Sequence, residues 1–361
     1  MGEELTSFID KVASRSHLRV EADLGGGFVR LRTDEAERRQ ARHDIRSIED
    51  AFIELLRNAR DAGARNIFVA TARMGEERRT VVVDDGCGIP ERLHDAVFQA
   101  RVTSKLDTIR EDRWGVHGRG MALFSIRENA EEARIACSAS GLGTAVFVRT
   151  NVSRVKERTD QSSWPDLSFD EEGNLTVRGP RNINRTLVEF ALAEQDACTV
   201  YLGSPVEIAT TLYAYGLATT TASARTFACN PAEMPVTKRL GSAADPAEFA
   251  SLAAGLGIDL SERSARRAMD GSIAPLAPLL ETVRISRPDD LSHKSEARVR
   301  DVLGDMRSLR ISPQDLESFR FRLREAWQDV ASAYFLDSSV EPVITVRKDA
   351  VHVSFPARKA R

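Results

Sequence analysis

Four short motifs, each built around acidic residues or glycines, follow one another in the first half of the chain. They are ELLRN at residues 54–58, DDGCG at 84–88, GVHGRG at 115–120 and GLGT at 141–144. The segments between them carry helix-like periodicity or strand-sized apolar runs, so the motifs stand on or between regular elements. Their fixed order constrains the fold and the chemistry far more than any one of them does alone.

The first motif lies on a predicted helix over residues 47–62, which Ser47 can cap. Glu54, Asn58 and Asp61 are spaced i, i+4 and i+7, which puts them on one face of this helix. The opposite, apolar side is formed by Ile48, Ala51, Phe52, Leu55, Leu56 and Ala59. The polar face therefore either lines a pocket or simply meets solvent.

This polar face carries the groups that a metal-bound phosphate and its hydrolysis require. Mg²⁺ prefers oxygen ligands and keeps several waters, so one amide oxygen from Asn58 together with phosphate oxygens would suit it. Glu54, one helical turn away, is placed to orient and deprotonate an attacking water. Such a base contributes about 10²–10⁴-fold in rate.

The second motif follows a Val-Val-Val strand and begins with Asp84. A carboxylate at a strand end can accept a hydrogen bond from the adenine amino group, and Gly86 and Gly88 let the backbone approach the base closely. The alternative is an ordinary tight turn, for which Asp-Gly is a common sequence.

The third motif runs into the apolar helix start MALFSI, which is typical of a phosphate cradle made of backbone N–H groups at a helix N-terminus. A dinucleotide-binding loop would need a strand before it, but residues 107–113 are charged and not strand-like. The residues expected against the phosphates are Gly115, His117, Gly118, Arg119, Gly120 and Met121.

Three further side chains are candidates for nucleotide contacts. Lys105, in the sequence VTSK, precedes the cradle and can reach a terminal phosphate, as can Arg119. The hydroxyl of Thr144, at the start of a strand, can bond adenine directly or through water. Ordinary surface roles remain open for the two cations, and Thr144 also suits a capped strand start.

Taken together, these motifs resemble the N box and the three glycine boxes of the GHKL superfamily. This superfamily contains type II topoisomerase ATPase subunits, MutL-type mismatch-repair proteins, heat-shock chaperones and sensor histidine kinases. The GxHGxG sequence looks most like gyrase-type enzymes, whereas DDGCGIP with TSK looks more like MutL or archaeal-type topoisomerase B subunits. The resemblance covers residues 45–150.

The resemblance implies a Bergerat-type ATP-binding domain that takes ATP and Mg²⁺. Glu54 would be the general base, Asn58 the magnesium ligand, and Asp84 and Thr144 the adenine contacts. Residues 89–120 would form the ATP lid. In gyrase-like and MutL-like proteins a lysine from a second domain touches the γ-phosphate, and Lys238 is a candidate for that role.

The predicted fold class is α+β: a two-layer α/β sandwich over residues 1–150, followed by a largely helical α+β second half. That half divides into a mixed, mainly helical domain at 151–300 and a C-terminal helix plus β-hairpin at 301–361. A weak repeat near 216–230 and 257–271 suggests two helix–turn–helix units, or coincidence. The helix expected over 313–335 carries an apolar stripe, interpreted as core or as a dimer surface, of Leu316, Phe319, Leu323, Ala326, Val330 and Ala333.

Composition excludes several classes of protein. The four cysteines show no metal-ligand spacing, so reduced and mostly buried thiols are expected. No apolar run reaches the length of a membrane span, and the N-terminus lacks signal-peptide features, so a cytoplasmic location is expected. A formal charge of −3 neither indicates nor excludes nucleic-acid binding.

The leading hypothesis is a slow ATPase that binds ATP, releases ADP and forms an ATP-dependent homodimer. Its partner would be DNA or a DNA-associated protein, bound through residues 151–361. One alternative is a chaperone-like ATPase that remodels proteins. Another is a nucleotide-responsive interaction module with little hydrolysis.

Overall fold

The computed structural model describes residues 20–33, 35–104, 110–117, 120–158, 160–170, 172–221, 230–286, 313–333, 336–346 and 351–356. The short helix predicted near the N-terminus lies outside these residues. Residues 222–229, which belong to the first half of the suggested repeat, also lie outside them. The chain divides into two compact units, Met1–Ile285 and Ser286–Arg361.

A five-stranded mixed sheet forms the centre of the first unit. Five of the strands described up to residue 286 form this sheet, and the others form smaller sheets. In chain order these strands are β1 (Val20–Gly25), β2 (Phe28–Leu31), β3 (Asn66–Met74), β4 (Glu77–Asp84), β5 (Val102–Thr103), β6 (Arg110–Asp112), β7 (Gly115–His117), β8 (Glu132–Ser138), β9 (Thr144–Asn151), β10 (Asp166–Phe169), β11 (Leu175–Arg178), β12 (Thr199–Gly203) and β13 (Ile285–Ser286). The central order is β12-β3-β4-β9-β8, in which β12 runs parallel to β3 and the other pairs are antiparallel.

The helices surround this sheet. They are α1 (Glu35–Asp44), α2 (Ile48–Asp61), α3 (Ala122–Asn129), α4 (Ile183–Ala193), α5 (Pro205–Thr219), α6 (Pro246–Gly255), α7 (Glu262–Met269) and α8 (Leu279–Thr282). Helix α2 begins where its sequence predicts, because the Ser47 backbone N–H donates to Asp50 Oδ2 at 2.8 Å. Among the described helices none is long and apolar enough to cross a membrane.

Consecutive residues of the central strands enter two different hydrophobic cores. Val82 packs with α2 and α4 on one face, whereas Val81 and Val83 pack with α5, α6 and α7 on the other. Side chains alternate between the faces of a sheet, so a continuous apolar run is typical of a strand buried on both sides. The predicted α+β class is confirmed, and helices α5, α6 and α7 cover the sheet face opposite α2 and α4.

Two local features of the structure differ from the sequence-based expectations. Helix α1 had not been anticipated. Residues 107–113 were expected not to be strand-like, yet β6 pairs antiparallel with β7. A hairpin needs backbone hydrogen bonds and not apolar side chains, which explains the difference. The antiparallel pairing still differs from the parallel β-α-β unit of a dinucleotide-binding loop.

The cysteines are less buried than expected. Cys198 is buried and Cys137 half-buried, but Cys87 is exposed, because it lies in the DDGCG turn at the edge of a cavity. Cys229 lies outside the described residues. The expectation of mostly buried thiols is therefore wrong for Cys87.

The second unit contains helix α9 (Pro313–Ala333) and a hairpin of β14 (Val343–Val346) and β15 (Val351–Ser354). Trp327 stacks on Phe355 with 4.6 Å between ring centroids, and Ala331 is fully buried. In contrast, Phe319 is 38% and Val330 48% exposed. The core interpretation of the apolar stripe is wrong for these two residues, because the packed face is centred on Trp327 and Ala331.

Candidate functional site

A cavity of about 1090 Å³ is lined by helix α2, the end of strand β4 and the loops around them. Ligand pockets usually measure about 300–1000 Å³, so a nucleotide fits by size. The cavity collects residues from all four sequence motifs. The predicted site residues that line it are Glu54, Asn58, Asp61, Asp84, Gly88, Gly120, Met121 and Thr144.

The remaining predicted site residues divide into two groups. Gly86 and Gly115 are described by the structure and are not lining residues, although both bond to residues that are: Asp84 and Arg57. The others lie outside the described residues: Lys105, Gly118, Arg119 and the side chain of His117.

Asp84 is a buried carboxylic acid on the cavity wall, only 4% exposed. It ends β4, and its register partner in β9 is Thr144. The Gly86 backbone N–H donates to Asp84 Oδ1 at 2.8 Å. Burial raises the pKa of Asp84 to about 7, and this hydrogen bond opposes the rise. A ligand donor that stabilises the ionised form would lower the pKa again.

Asp84 should make folding stability depend on pH in a defined direction. Its pKa is higher in the folded than in the unfolded chain, so its contribution to stability is lost as pH rises towards 7. Relative to Asp84→Asn, the wild type should lose about 1.4 kcal/mol of unfolding free energy per pH unit between about 5 and 7. Urea unfolding of both proteins at several pH values measures this difference, and parallel curves would contradict it.

The second and fourth motifs, DDGCG and GLGT, pack tightly against each other. Gly88 has φ +70°, and a Cβ there would lie 1.9 Å from the Ala139 carbonyl oxygen. Gly143 has φ +82°, and a Cβ there would lie 2.2 Å from the Asp84 carbonyl oxygen. The Gly141 N–H also donates to the Cys87 carbonyl at 2.7 Å. Glycine is therefore required at 88 and 143 to hold the loop around Asp84 in place.

Gly88→Ala should destabilise the protein by at least about 3 kcal/mol, because it adds backbone overlap to the cost of the left-handed conformation. Gly75→Ala is a matched control: Gly75 has φ +62° but open space around its Cβ position. The free energy of unfolding of Gly75→Ala should fall by only about 1–2 kcal/mol. Denaturant unfolding compares them, and equal losses would show that the contact with residue 139 does not matter.

Ser138 joins the two motifs and was not anticipated from the sequence. Its Oγ donates to the Gly143 carbonyl at 2.8 Å and accepts from the Ile89 N–H at 2.7 Å. It also lies 3.2 Å from Thr144 Oγ1. The feature that could have indicated this role is the position of Ser138 at the end of β8, directly opposite Thr144 in the antiparallel pair.

Glu54 is held by a buried arginine. Glu54 Oε1 accepts a hydrogen bond from Arg57 Nη1 at 2.7 Å, and Arg57 is 4% exposed. Burial raises the pKa of Glu54 above its ordinary value, and Arg57 partly lowers it. A carboxyl with a raised pKa is better suited to accept a proton near neutral pH.

Arg57 also binds the segment that precedes the third motif. It donates from Nε to Asp112 Oδ2 at 3.0 Å and from Nη2 to the Gly115 carbonyl at 3.1 Å. The Trp114 ring lies 5.9 Å from its guanidinium carbon. The role of Arg57 is not visible in the sequence, because only the tertiary fold brings residues 112–115 to helix α2.

Asn58 presents an unused amide to the cavity. It lines the cavity, and its buried Nδ2 has no hydrogen-bond partner within the described part of the chain. Such a group is available to a ligand, since buried polar atoms are normally bonded. That nitrogen is a hydrogen-bond donor and suits an oxygen acceptor of a ligand, whereas a metal ion would be held by the amide oxygen of the same side chain.

Lys238, the candidate for a γ-phosphate contact, is placed elsewhere. Its Nζ lies 3.4 Å from the Thr219 carbonyl, and Lys238 is not among the described residues that line the cavity. The geometry gives that assignment no support.

Comparison with known proteins bears on the same segment. A family model described as histidine kinase-, DNA gyrase B- and HSP90-like ATPase matches residues 45–172. The chain is similar to DNA mismatch repair protein MutL from Thermus aquaticus, with 44% identity over 85 residues. It is also similar to MutL from Thermus thermophilus, with 40% identity over 84 residues. Each match spans 23% of this chain and 15% of the relative.

The residues matched by the family model include helix α2, the end of β4 and the start of β9, which line the cavity, but not helix α1 or the turn at Gly26 and Gly27, which line it too. The order of the motifs, their convergence on one cavity and the two kinds of comparison agree with one another. Residues 45–172 therefore match the histidine kinase-, DNA gyrase B- and HSP90-like (GHKL) ATPase family, and part of the chain is similar to MutL.

Proposed function

We propose that this protein is a Mg²⁺-dependent ATPase that turns over slowly and acts as a molecular switch. The observation that carries the proposal is the convergence of Glu54, Asn58, Asp84 and Thr144 on one cavity. These residues come from α2, β4 and β9, far apart in sequence.

In this proposal the adenine amino group donates to the carboxylate of Asp84, and Thr144 contacts the same base. The phosphates lie towards Gly120 and the N-terminus of α3, where backbone N–H groups favour anions. Lys105, if it reaches the site, would contact a terminal phosphate, as would Arg119.

Asn58 would hold the magnesium ion through its amide oxygen. The ion would neutralise charge on the phosphates. Glu54 would orient a water molecule towards the terminal phosphorus and take its proton, so that the oxygen attacks as hydroxide while the bond from that phosphorus to the bridging oxygen breaks, giving phosphate and ADP. Burial raises the pKa of Glu54, which makes its carboxylate a stronger base for this step.

The switch would act by ATP-dependent homodimerisation, with ADP as the released product. The partner would be DNA or a DNA-associated protein, which the mismatch-repair relatives support by their names. We assign its contacts to residues 151–361, divided as the sequence predicts into 151–300 and 301–361 after an ATP-binding domain at 1–150. The cytoplasmic location remains a prediction.

A second candidate is a nucleotide-responsive interaction module with little hydrolysis. The hydrogen bond from Arg57 to Glu54 supports it, because a carboxylate engaged by an arginine is a weaker base. Turnover no faster than that of a Glu54→Ala variant would favour this module over the ATPase.

The proposal is tested by measuring phosphate release with Mg²⁺, with a chelator, and with duplex DNA at two salt concentrations. The mass of the protein is measured alongside in a non-hydrolysable ATP analogue. Activity that needs Mg²⁺, rises with DNA and falls at high salt is expected. Indifference to DNA with stimulation by a client polypeptide would favour the chaperone-like alternative. A chain that ignores adenine nucleotides would overturn the proposal.

A further inference from the structure

Arg101 is a buried cation on the wall of the cavity. It is 8% exposed, and it is the only described non-glycine residue with a positive φ, at 61°. Side chains other than glycine rarely adopt this conformation, and it persists where the surroundings enforce it, often at ligand sites. The backbone therefore holds Arg101 in place at an energetic cost.

The guanidinium of Arg101 is only partly satisfied. Its Nη2 donates to Glu37 of helix α1, which also lines the cavity. Its Nε is buried without a hydrogen-bond partner within the described part of the chain. An arginine fork has more donors than a single carboxylate uses, so this side chain has capacity for a second acceptor.

The charges around the cavity indicate what that acceptor would be. Among the described lining residues six are acidic, namely Glu37, Asp44, Asp50, Glu54, Asp61 and Asp84. Two are cationic, Arg57 and Arg101. Arg57 already donates to Glu54, Asp112 and the Gly115 carbonyl. Of the two described cations that line the cavity, only Arg101 has a buried nitrogen without a hydrogen-bond partner in the described part of the chain, and this donor suits a polyanion.

Arg101 also lies beside the last glycine of the third motif. A Cβ on Gly120 would lie 3.1 Å from the Arg101 carbonyl carbon and 2.9 Å from the Val102 carbonyl oxygen. The backbone that carries Arg101 therefore touches the loop that is proposed to cradle the phosphates. Arginine is well suited to bind phosphate oxygens through two parallel hydrogen bonds.

We propose that Arg101 is a phosphate-binding residue of the nucleotide site, which donates to a phosphate oxygen as well as to Glu37 when a nucleotide enters. The inference rests on the proposed function, since it places the phosphates in this cavity. It adds a residue that the four motifs do not contain and links the phosphates to helix α1.

The test compares the dissociation constants of ATP and adenosine, measured by calorimetry. The variants are Arg101→Gln, Arg101→Lys and Glu37→Gln. Arg134→Gln is the control, since Arg134 is paired with Glu132 at 3.0 Å on an exposed surface. Arg101→Gln should weaken the binding of ATP by about 10- to 100-fold and leave the binding of adenosine almost unchanged. Arg101→Lys should retain part of the ATP affinity, and Glu37→Gln should bind ATP as tightly as the wild type or more tightly.

Three outcomes would overturn the inference. The first is an equal loss of ATP and adenosine affinity in Arg101→Gln. The second is a loss of ATP affinity in Glu37→Gln as large as that in Arg101→Gln, which would mean that the pair only holds α1. In the third, the wild type binds adenosine as tightly as ATP. Failure of the wild type to bind either compound would instead overturn the proposed function itself. Arg101→Lys keeps the test decisive if the glutamine variant does not fold.

Discussion

Asp84→Asn should weaken the binding of ATP and of adenosine at least about 100-fold at pH 8. The carboxylate of Asp84 is buried and already accepts one backbone hydrogen bond from Gly86, so it is oriented before a ligand arrives. A hydrogen bond to a charged acceptor is worth about 1.5–3 kcal/mol, and the asparagine amide nitrogen would also face the adenine donor. Calorimetric titration of both ligands measures the effect.

The affinity of the wild type for adenosine should also depend on pH. Because burial raises the pKa of Asp84 to about 7, the acceptor is increasingly protonated below that pH, and adenosine affinity should fall as pH decreases from 8 to 6. The Asp84→Asn variant should show no such trend. Asp85→Asn is the control, since Asp85 caps the Arg65 and Asn66 N–H groups and does not line the cavity. Near-normal affinity in Asp84→Asn would exclude Asp84 as the adenine contact.

Glu54→Ala should keep ATP affinity and lose about 10²–10⁴-fold in hydrolysis rate. The expected reason is that Glu54 acts on the attacking water, whereas the nucleotide is held by other residues of the cavity. The variant should therefore accumulate in its ATP-bound form, and size-exclusion chromatography with ATP would detect a dimer if that form associates.

Glu49→Gln is the matched control for this variant. Glu49 lies on the same helix and is buried, but it bonds Gln161 and is not a cavity residue. Its replacement should leave hydrolysis unchanged. Unchanged hydrolysis in Glu54→Ala would mean that the base lies elsewhere, and lost ATP binding would mean that Glu54 holds the nucleotide.

Local patterns were enough to predict much of the domain. The cap at Ser47 and the i, i+4, i+7 spacing of Glu54, Asn58 and Asp61 predicted the helix and the face that the structure turns to the cavity. Such features depend on residues a few positions apart, which a sequence displays directly. The continuous apolar run at residues 81–83 also carried a signal of burial on both faces.

Pairings between distant segments were not predictable in the same way. The ELLRN motif contains Arg57, but nothing local indicates that it meets Asp112, which lies 55 residues further along the chain. Ser138 and Arg101 are ordinary residues in sequence and become part of the site only through their neighbours. The exposure of Phe319 and Val330 on α9 likewise depends on which face of the helix the hairpin covers.

The sequence alone determined the resemblance to GHKL ATPases, most of the helices and strands around the site and the types of chemical group in it, because these follow from short-range spacing and residue chemistry. The tertiary structure decided which charges meet. It decided that Arg57 engages Glu54, that the pKa of Asp84 is raised by burial and that Arg101 faces the cavity with an unused donor. Desolvation and ion pairing depend on every atom around a group, and the fold alone brings those atoms together.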